Sequence, residues 1–326
     1  MRGLIVPAFA IALVLGACTV DTGSPAPDDG GRLYGVALSA RSGSAEDFES
    51  FFDLASDAGD VLLHNGDWAV LDAEGGAFAV TMIVGSERGL IPAIGISAND
   101  FKTLIRPIDE ATRADYLSRL DEFLDVHQPR YLGVGNEINT VASDNPDEYE
   151  TLVDLFAEAA AIVEATSPET IVYPVFQYEW LIGRRDGIFG GENRSEDNQW
   201  DLVDGFPAAE AIGVTTYPGL VLSDPSEIPT DYYSVISDHT ELPVVFTEIG
   251  WQSGSGLPGF EGSDDQQARF IARFDELTAD LDVLVAIWPF VFDTQVDIIP
   301  FDSMGLRRSD GAPRPAWAAW TAEDRP

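Results

Sequence analysis

Apolar positions along the chain recur in two rhythms. Short runs rich in β-branched and aromatic residues alternate with longer stretches whose apolar residues fall three and four apart, so strands are expected to alternate with helices. Leu33 to Ser39 reads as a first strand, and Ser44 caps a helix that carries Phe48, Phe51, Phe52 and Leu54 on one side. Val61 to His64 and Leu90 to Ile96 give the second and third strands, with a weaker helical segment between them. A helix through Tyr116, Leu117, Leu120, Phe123 and Leu124 leads to the fourth strand, Tyr131 to Val134. Pro146 suits the first position of the next helix, with Asp147 and Glu148 in its first turn and Leu152, Leu155, Phe156 and Ala159 at helical spacing. Ile171 to Phe176 and Ala211 to Thr215 are the fifth and sixth strands; Tyr232 to Ile236 suggests a helix before the seventh strand, Val244 to Thr247. Ser263 opens a helix through Phe270, Ile271, Phe274 and Leu277, Val283 to Ile287 is the eighth strand, and Pro315 to Trp320 begins a closing helix.

Eight strands with helical crossovers predict an α/β fold, a single-domain (β/α)8 TIM barrel over residues 32–326. An open doubly wound sheet is the competitor. It would favour a glycine-rich phosphate loop after the first strand, and Ser39-Ala-Arg-Ser-Gly-Ser is a poor one.

The N-terminus breaks this rhythm. Arg2 precedes a short apolar stretch, Leu4 to Leu15, too short to span a bilayer, which ends in Leu15-Gly16-Ala17-Cys18. The run resembles a bacterial lipobox, so residues 1–17 are expected to be a lipoprotein signal peptide and Cys18 the lipidated residue. Residues 18–31, rich in Pro, Gly, Ser and Asp, then form a flexible tether. Cys18 is the only cysteine, and the exported barrel must therefore hold without disulfides. The expected location is the cell envelope or periplasm, with the membrane touched only through the anchor.

Composition narrows the partners. The 326 residues carry a formal net charge of −38, from 56 acidic and 18 basic residues, and Lys102 is the only lysine. Such an excess repels nucleic-acid phosphates and acidic membrane surfaces. It describes a heavily solvated anionic surface; the sharper reading is adaptation to high salt, where screening relieves self-repulsion. The three histidines are scattered without metal-ligand spacing, and no Gly-x-Ser-x-Gly elbow occurs. No metal and no cofactor are expected, and the chain reads as a monomer.

In a barrel of this kind chemistry sits at the carboxyl ends of the strands. The fourth strand runs into Gly133-Val-Gly-Asn136-Glu137-Ile138-Asn139, and the seventh ends in Val245-Phe-Thr-Glu248-Ile-Gly-Trp251. Paired carboxylates are what glycosidic bond cleavage requires: one protonates the leaving oxygen and the other attacks or stabilises the anomeric carbon. A separation of about 5–5.5 Å permits direct attack, and a wider gap implies inversion. Burial and mutual repulsion should raise the acid's pKa.

These residues together resemble the signatures of clan A retaining glycoside hydrolases, over most of the barrel. The resemblance implies that Glu137 is the acid/base, that Asn136 binds a sugar 2-hydroxyl, and that Glu248 is the nucleophile. It further implies that Tyr217, in Val-Thr-Thr-Tyr-Pro, hydrogen-bonds the nucleophile, and that Trp288, in Ala-Ile-Trp-Pro-Phe, forms a sugar platform. The tail from Met304 to Trp317 is also similar to the end of such barrels. Gly-Asn-Glu-Ile with Ile-Gly-Val-Thr-Thr-Tyr-Pro is similar to family 53 endo-β-1,4-galactanases. Glu-Ile-Gly-Trp is similar to family 17 β-1,3-glucanases, although Gln252-Ser253 follows here in place of Pro-Ser.

Each match alone has a plainer explanation. A strand-end glutamate is commonly a solvated residue, Tyr217 can be packing before a proline turn, and Trp288 can be a core aromatic. The weight lies in four residue types falling in order at four strand ends. His64, Asn65, Asp67 and Trp68 after the second strand, Arg41 after the first and Trp251 after the seventh are further candidate substrate contacts. Glu179 is a candidate third carboxylate, with Arg184 or Arg185 as its plainer partner. The expectation is cleavage of a neutral β-linked polysaccharide or oligosaccharide, since a strongly acidic chain repels polyanions. The alternative is a surface glycan-binding lipoprotein with retired carboxylates.

Overall fold

The computed structural model describes residues 31–326 apart from 255–257, 295–298, 324 and 326. The expected leader, Cys18 and the tether up to residue 30 lie outside the described residues. Eight strands close into a barrel: β1 (Leu33–Ala37), β2 (Val61–Asp67), β3 (Ile91–Ser97), β4 (Tyr131–Val134), β5 (Ile171–Gln177), β6 (Ile212–Thr216), β7 (Val244–Ile249) and β8 (Val283–Trp288). Every neighbouring pair is parallel, and β8 pairs with β1 to complete the ring. The closed sheet excludes the open doubly wound alternative.

Helices α1 (Ala45–Ala58), α2 (Gly76–Glu87), α3 (Glu110–Val126), α4 (Asn139–Asp144), α5 (Pro146–Thr166), α6 (Tyr178–Leu181), α7 (Asp264–Leu277) and α8 (Pro315–Trp320) connect or cover the strands. The Ser44 and Ser263 side chains accept the N–H groups of Asp47 and Gln266, which fixes the starts of α1 and α7. Pro146 opens α5, where its missing N–H costs nothing.

Two expectations change. β2 continues past His64 to Asp67, its polar end paired with Ile94 to Ser97 of β3. The apolar run stops there because side chains begin to face the mouth, while backbone pairing goes on. The helix expected over Tyr232 to Ile236 is instead a series of tight turns, with a 3₁₀ segment at Ser234–Asp238.

Parity along each strand divides two cores. Val61, Leu63, Ile91, Ala93, Tyr131, Tyr173, Val175, Val245, Val285 and Ile287 fill the barrel interior. Their neighbours, among them Leu62, Ile94, Leu132, Phe176, Phe246 and Trp288, face the helices. Gly213 is a small position that lets the large Tyr173 ring lie flat inside: a Cβ there would fall 2.7 Å from Tyr173 Cδ2 and 2.9 Å from the Pro174 carbonyl. We expect Gly213→Ala to cost about 1–3 kcal/mol through overpacking. Urea denaturation measures it, and an unchanged midpoint would show that Tyr173 can move aside freely.

Candidate active site

Beyond β4 the chain turns sharply. Gly135 has φ +82°, and a Cβ on it would lie 2.4 Å from Ile138 Cγ2, so only glycine fits. Glu137 itself adopts φ +52°, a left-handed conformation that costs a non-glycine residue free energy. Bonds on both sides hold the turn. Asn99 receives the Asn136 N–H on its Oδ1 (3.3 Å) and donates from Nδ2 to the Asn136 carbonyl, while Thr140 donates from Oγ1 to the Glu137 carbonyl (2.7 Å). The Asn136 Oδ1 atom is buried and accepts no hydrogen bond among the described residues.

Glu248 reaches the mouth through a bulge. Val214 pairs with Phe246, but the next residue, Thr215, pairs with Glu248, so Thr247 is an extra residue in β7. Phe246 faces the helices, and strict alternation would send Glu248 the same way. The bulge puts it opposite Thr215 instead.

Three successive residues at the end of β6 then meet three glutamates. Thr215 Oγ1 donates to Glu137 Oε1 (2.7 Å), Thr216 Oγ1 donates to Glu179 Oε1 (2.8 Å), and the Tyr217 hydroxyl donates to Glu248 Oε2. Burial, together with the Glu248 charge, pushes the Glu137 carboxyl up to about 8. Burial also raises Glu248, and the Tyr217 hydroxyl works in the opposite direction. The structure therefore offers a protonated acid and a hydrogen-bonded carboxylate at one mouth.

Glu179 is completely buried, and its plainer explanation is corrected. Arg184 pairs with Asp186, and the Arg185 guanidinium lies over the Trp180 ring. The Glu179 carboxylate instead accepts from Gln177 Nε2 (2.5 Å), Thr216 Oγ1, the Tyr217 N–H (3.2 and 3.3 Å) and the Tyr232 hydroxyl (3.1 Å). By holding the Tyr217 backbone it fixes the ring whose hydroxyl meets Glu248. Burial raises its pKa while these donors lower it.

The remaining candidates divide by parity. Asn65 faces inward and accepts from Ser97 Oγ at 3.2 Å. His64, one residue earlier, points outward with its ring edge-to-face on Phe78, and burial depresses its pKa to about 4. Three tryptophan assignments are corrected. Trp288 is fully buried, donates its indole N–H to the Met304 carbonyl (2.8 Å) and packs against Trp320, so it is core and not a platform. Trp251 is buried against Phe270, and Trp68 lies beneath Arg106 beside Tyr116. Arg41 is tied to Asp47 (2.8 Å) and lies over Phe292, on the rim between the ends of β1 and β8. Sequence reasoning missed Asn99, and it offered Asp67 as a residue lining the cleft. Asp67 ends β2 and makes a two-bond ion pair with Arg106.

Fold and mouth together define a (β/α)8 barrel with a half-buried carboxylate pair at the carboxyl ends of β4 and β7. No protein-family model matches the chain, and no curated protein matches it in sequence. Solved structures do match in fold. A family 39 glycoside hydrolase from the gut symbiont Bacteroides cellulosilyticus WH2 aligns with 88% of this chain at 20% identity and a TM-score of 0.58. This chain spans only 62% of that protein's length. GH5_18 from Streptomyces cattleya, in complex with Manβ1-4GlcNAc, aligns over 91% of this chain and 82% of its own, at 14% identity and TM-score 0.64. Native xylanase 10B from Thermotoga maritima aligns over 89% and 93%, at 13% identity and TM-score 0.60. At these identities the likeness establishes the barrel.

Two outcomes follow from the site's electrostatics. Glu179→Ala strands the donors that converge on it, and we expect it to lower stability by about 2–4 kcal/mol in chemical denaturation. A loss below 0.5 kcal/mol, taken as roughly the scale of a surface substitution, would contradict the network. Separately, between about 4.5 and about 8 the folded chain keeps a proton on Glu137 that the unfolded chain releases. Wild-type stability therefore falls as pH rises through that window, and Glu137→Gln, which cannot ionise, escapes the fall. The melting temperature of Glu137→Gln relative to wild type should be higher at pH 9 than at pH 4.5; an equal difference at both would refute the raised pKa.

Proposed function

We propose that this chain is a retaining glycoside hydrolase acting on a neutral β-linked polysaccharide or its oligosaccharides, held at the cell envelope through Cys18. The observation that carries the reading is the placement of Glu137 and Glu248 on one mouth in unlike environments: one carboxyl pushed up to about 8, the other hydrogen-bonded by Tyr217.

In the first step the Glu248 carboxylate attacks the anomeric carbon and forms an ester bond to it. The bond from that carbon to the leaving oxygen breaks, and Glu137 gives its proton to this oxygen. In the second step Glu137, now ionised, takes a proton from water while the water oxygen attacks the same carbon. The ester bond breaks and returns Glu248 as a carboxylate. The carboxamide oxygen of Asn136, which accepts no hydrogen bond among the described residues, can accept from a sugar hydroxyl beside the reacting carbon. The likeness to glycoside hydrolase barrels supports the reading at the level of fold.

A reducing-sugar assay on β-glucans, galactans, mannans and xylans, at low and high salt, tests it. Turnover is expected on at least one polymer, with an alkaline limb near pH 8 as Glu137 loses its proton. Glu248→Ala should reduce turnover by at least about 10⁴-fold. Proton NMR of the first product should show the starting anomeric configuration. An inverted first product would remove the nucleophile role from Glu248, and inactivity on every polymer would sink the reading.

A further inference from the structure

Between β3 and α3 the chain forms a tight hairpin in which Asn99 pairs with Leu104 and Asp100 with Thr103. Its attachment is unusually complete. Asn99 clamps the Asn136 backbone, and the single Thr140 hydroxyl proton is shared between the Phe101 carbonyl (2.5 Å) and the Glu137 carbonyl (2.7 Å). Asn145 Nδ2 donates to the Lys102 carbonyl (2.9 Å), and Glu148 accepts the Leu104 N–H (3.1 Å). The hairpin is thus bolted to the β4 turn that carries Glu137, and its tip is fixed relative to that carboxyl.

A two-residue hairpin loop asks for a positive φ at its first position, yet two residues here are not those a turn alone would select. Asp100 Oδ1 is a buried acceptor with no hydrogen bond among the described residues, although native proteins nearly always satisfy such atoms. Phe101 sits at φ +49°, a costly conformation for an aromatic residue, and its ring is only half-buried, edge-on to Trp180 at 5.7 Å. Strain retained in a well-bonded segment beside a reacting group marks a working part. The general acid must touch the departing oxygen, so a tip bolted to the Glu137 turn borders the leaving sugar.

We propose that the 99–104 hairpin is the leaving-group subsite: Asp100 accepts a hydroxyl of the departing pyranose, and Phe101 packs against that sugar's C–H face. The inference rests on the hydrolase reading and deepens it. A free carboxylate at this position repels a uronate, so the subsite takes a neutral sugar. Asp100 also lies within electrostatic reach of Glu137 and adds to the forces keeping that acid protonated.

The test compares two substrates at pH 6, where Glu137 holds its proton. One is the neutral tetrasaccharide of whichever polymer the wild-type chain degrades fastest. The other is the β-glycosyl fluoride of the same donor sugar, which places no ring on the leaving side. For Asp100→Ala and Asp100→Asn the ratio of kcat/KM, tetrasaccharide over fluoride, should fall about 10- to 100-fold, the scale of a lost hydrogen bond to a charged group. For Phe101→Ala it should fall by about fivefold or more. Phe101→Ala alters no charge, so its effect separates a lost contact from a changed acidity of Glu137, and Asp100→Asn preserves shape should the alanine variant fold poorly. An unchanged ratio in all three variants overturns the subsite, as does an equal loss on both substrates, which would place these residues on the donor side. If wild type turns over neither substrate, the hydrolase reading fails and the subsite falls with it.

Discussion

Thr215, Thr216 and Tyr217 are consecutive, yet their hydroxyls go to glutamates on three different strands or strand ends. This is possible only where a strand is ending. In regular β structure Thr215 and Thr216 face opposite sides of the sheet, so one reaches the barrel mouth and the other the buried layer behind it. The chain then leaves the sheet at Tyr217, whose ring swings over to Glu248. The end of β6 therefore fixes the spacing of the site. If it shifted by one residue, every one of these bonds would break at once.

Neutral groups do this work, and that choice has a chemical consequence. Among the described residues no Arg or Lys bonds to Glu137, Glu179 or Glu248; their partners are hydroxyls, an amide side chain and a backbone N–H. A guanidinium beside Glu137 would hold it ionised, as Arg269 holds Asp224 far below the usual carboxylate range. Hydroxyl donors offset part of the desolvation and leave the remainder to raise the pKa. The arginines are spent elsewhere. Arg314 bridges Asp264 and Asp293 near the closing helix, and Arg325 holds Asp275 with two bonds. A strongly acidic chain thus keeps its scarce cations on structural pairs and its acid site free of them.

Much of this was readable from the residues, and the failures share one cause. Strand positions followed from runs of apolar residues, because those runs record burial on both faces of a parallel sheet. Glu137 and Glu248 were legible as polar residues directly after such runs. What the runs do not record is parity. Val285 and Ile287 face inward, so Trp288 had to face the helices; Leu63 faces inward, so His64 had to face out and Asn65 in. Counting by twos from the inward residues would have moved Trp288 and His64 out of the site. The same count would also have removed Glu248, because the bulge at Thr247 is invisible without the pairing register. Glu179 was underweighted for a different reason: its partners come from residues 177, 216, 217 and 232, and no local pattern announces them. The turns that replaced the expected helix at 232–236 belong here too, since they bring Tyr232 to Glu179 and Tyr233 to Thr216 (3.0 Å).

Both acids are thus presented by local departures from ideal geometry: a left-handed Glu137 and a bulged β7. Neither departure is sustained by its own residues. The Glu137 turn persists because Gly135 accepts a conformation no other residue could take there, and because Asn99 and Thr140 fill the backbone valences that a regular strand would have used. The bulge persists because Thr215 still finds a pairing partner after it, now Glu248. Irregular backbone costs free energy, and an ideal barrel end would be more stable. An ideal end, however, would alternate Glu248 toward the helices and away from the barrel mouth. The regular barrel supplies the rigidity that makes two irregular turns reproducible, and those turns bring the two carboxylates within electrostatic reach of one another.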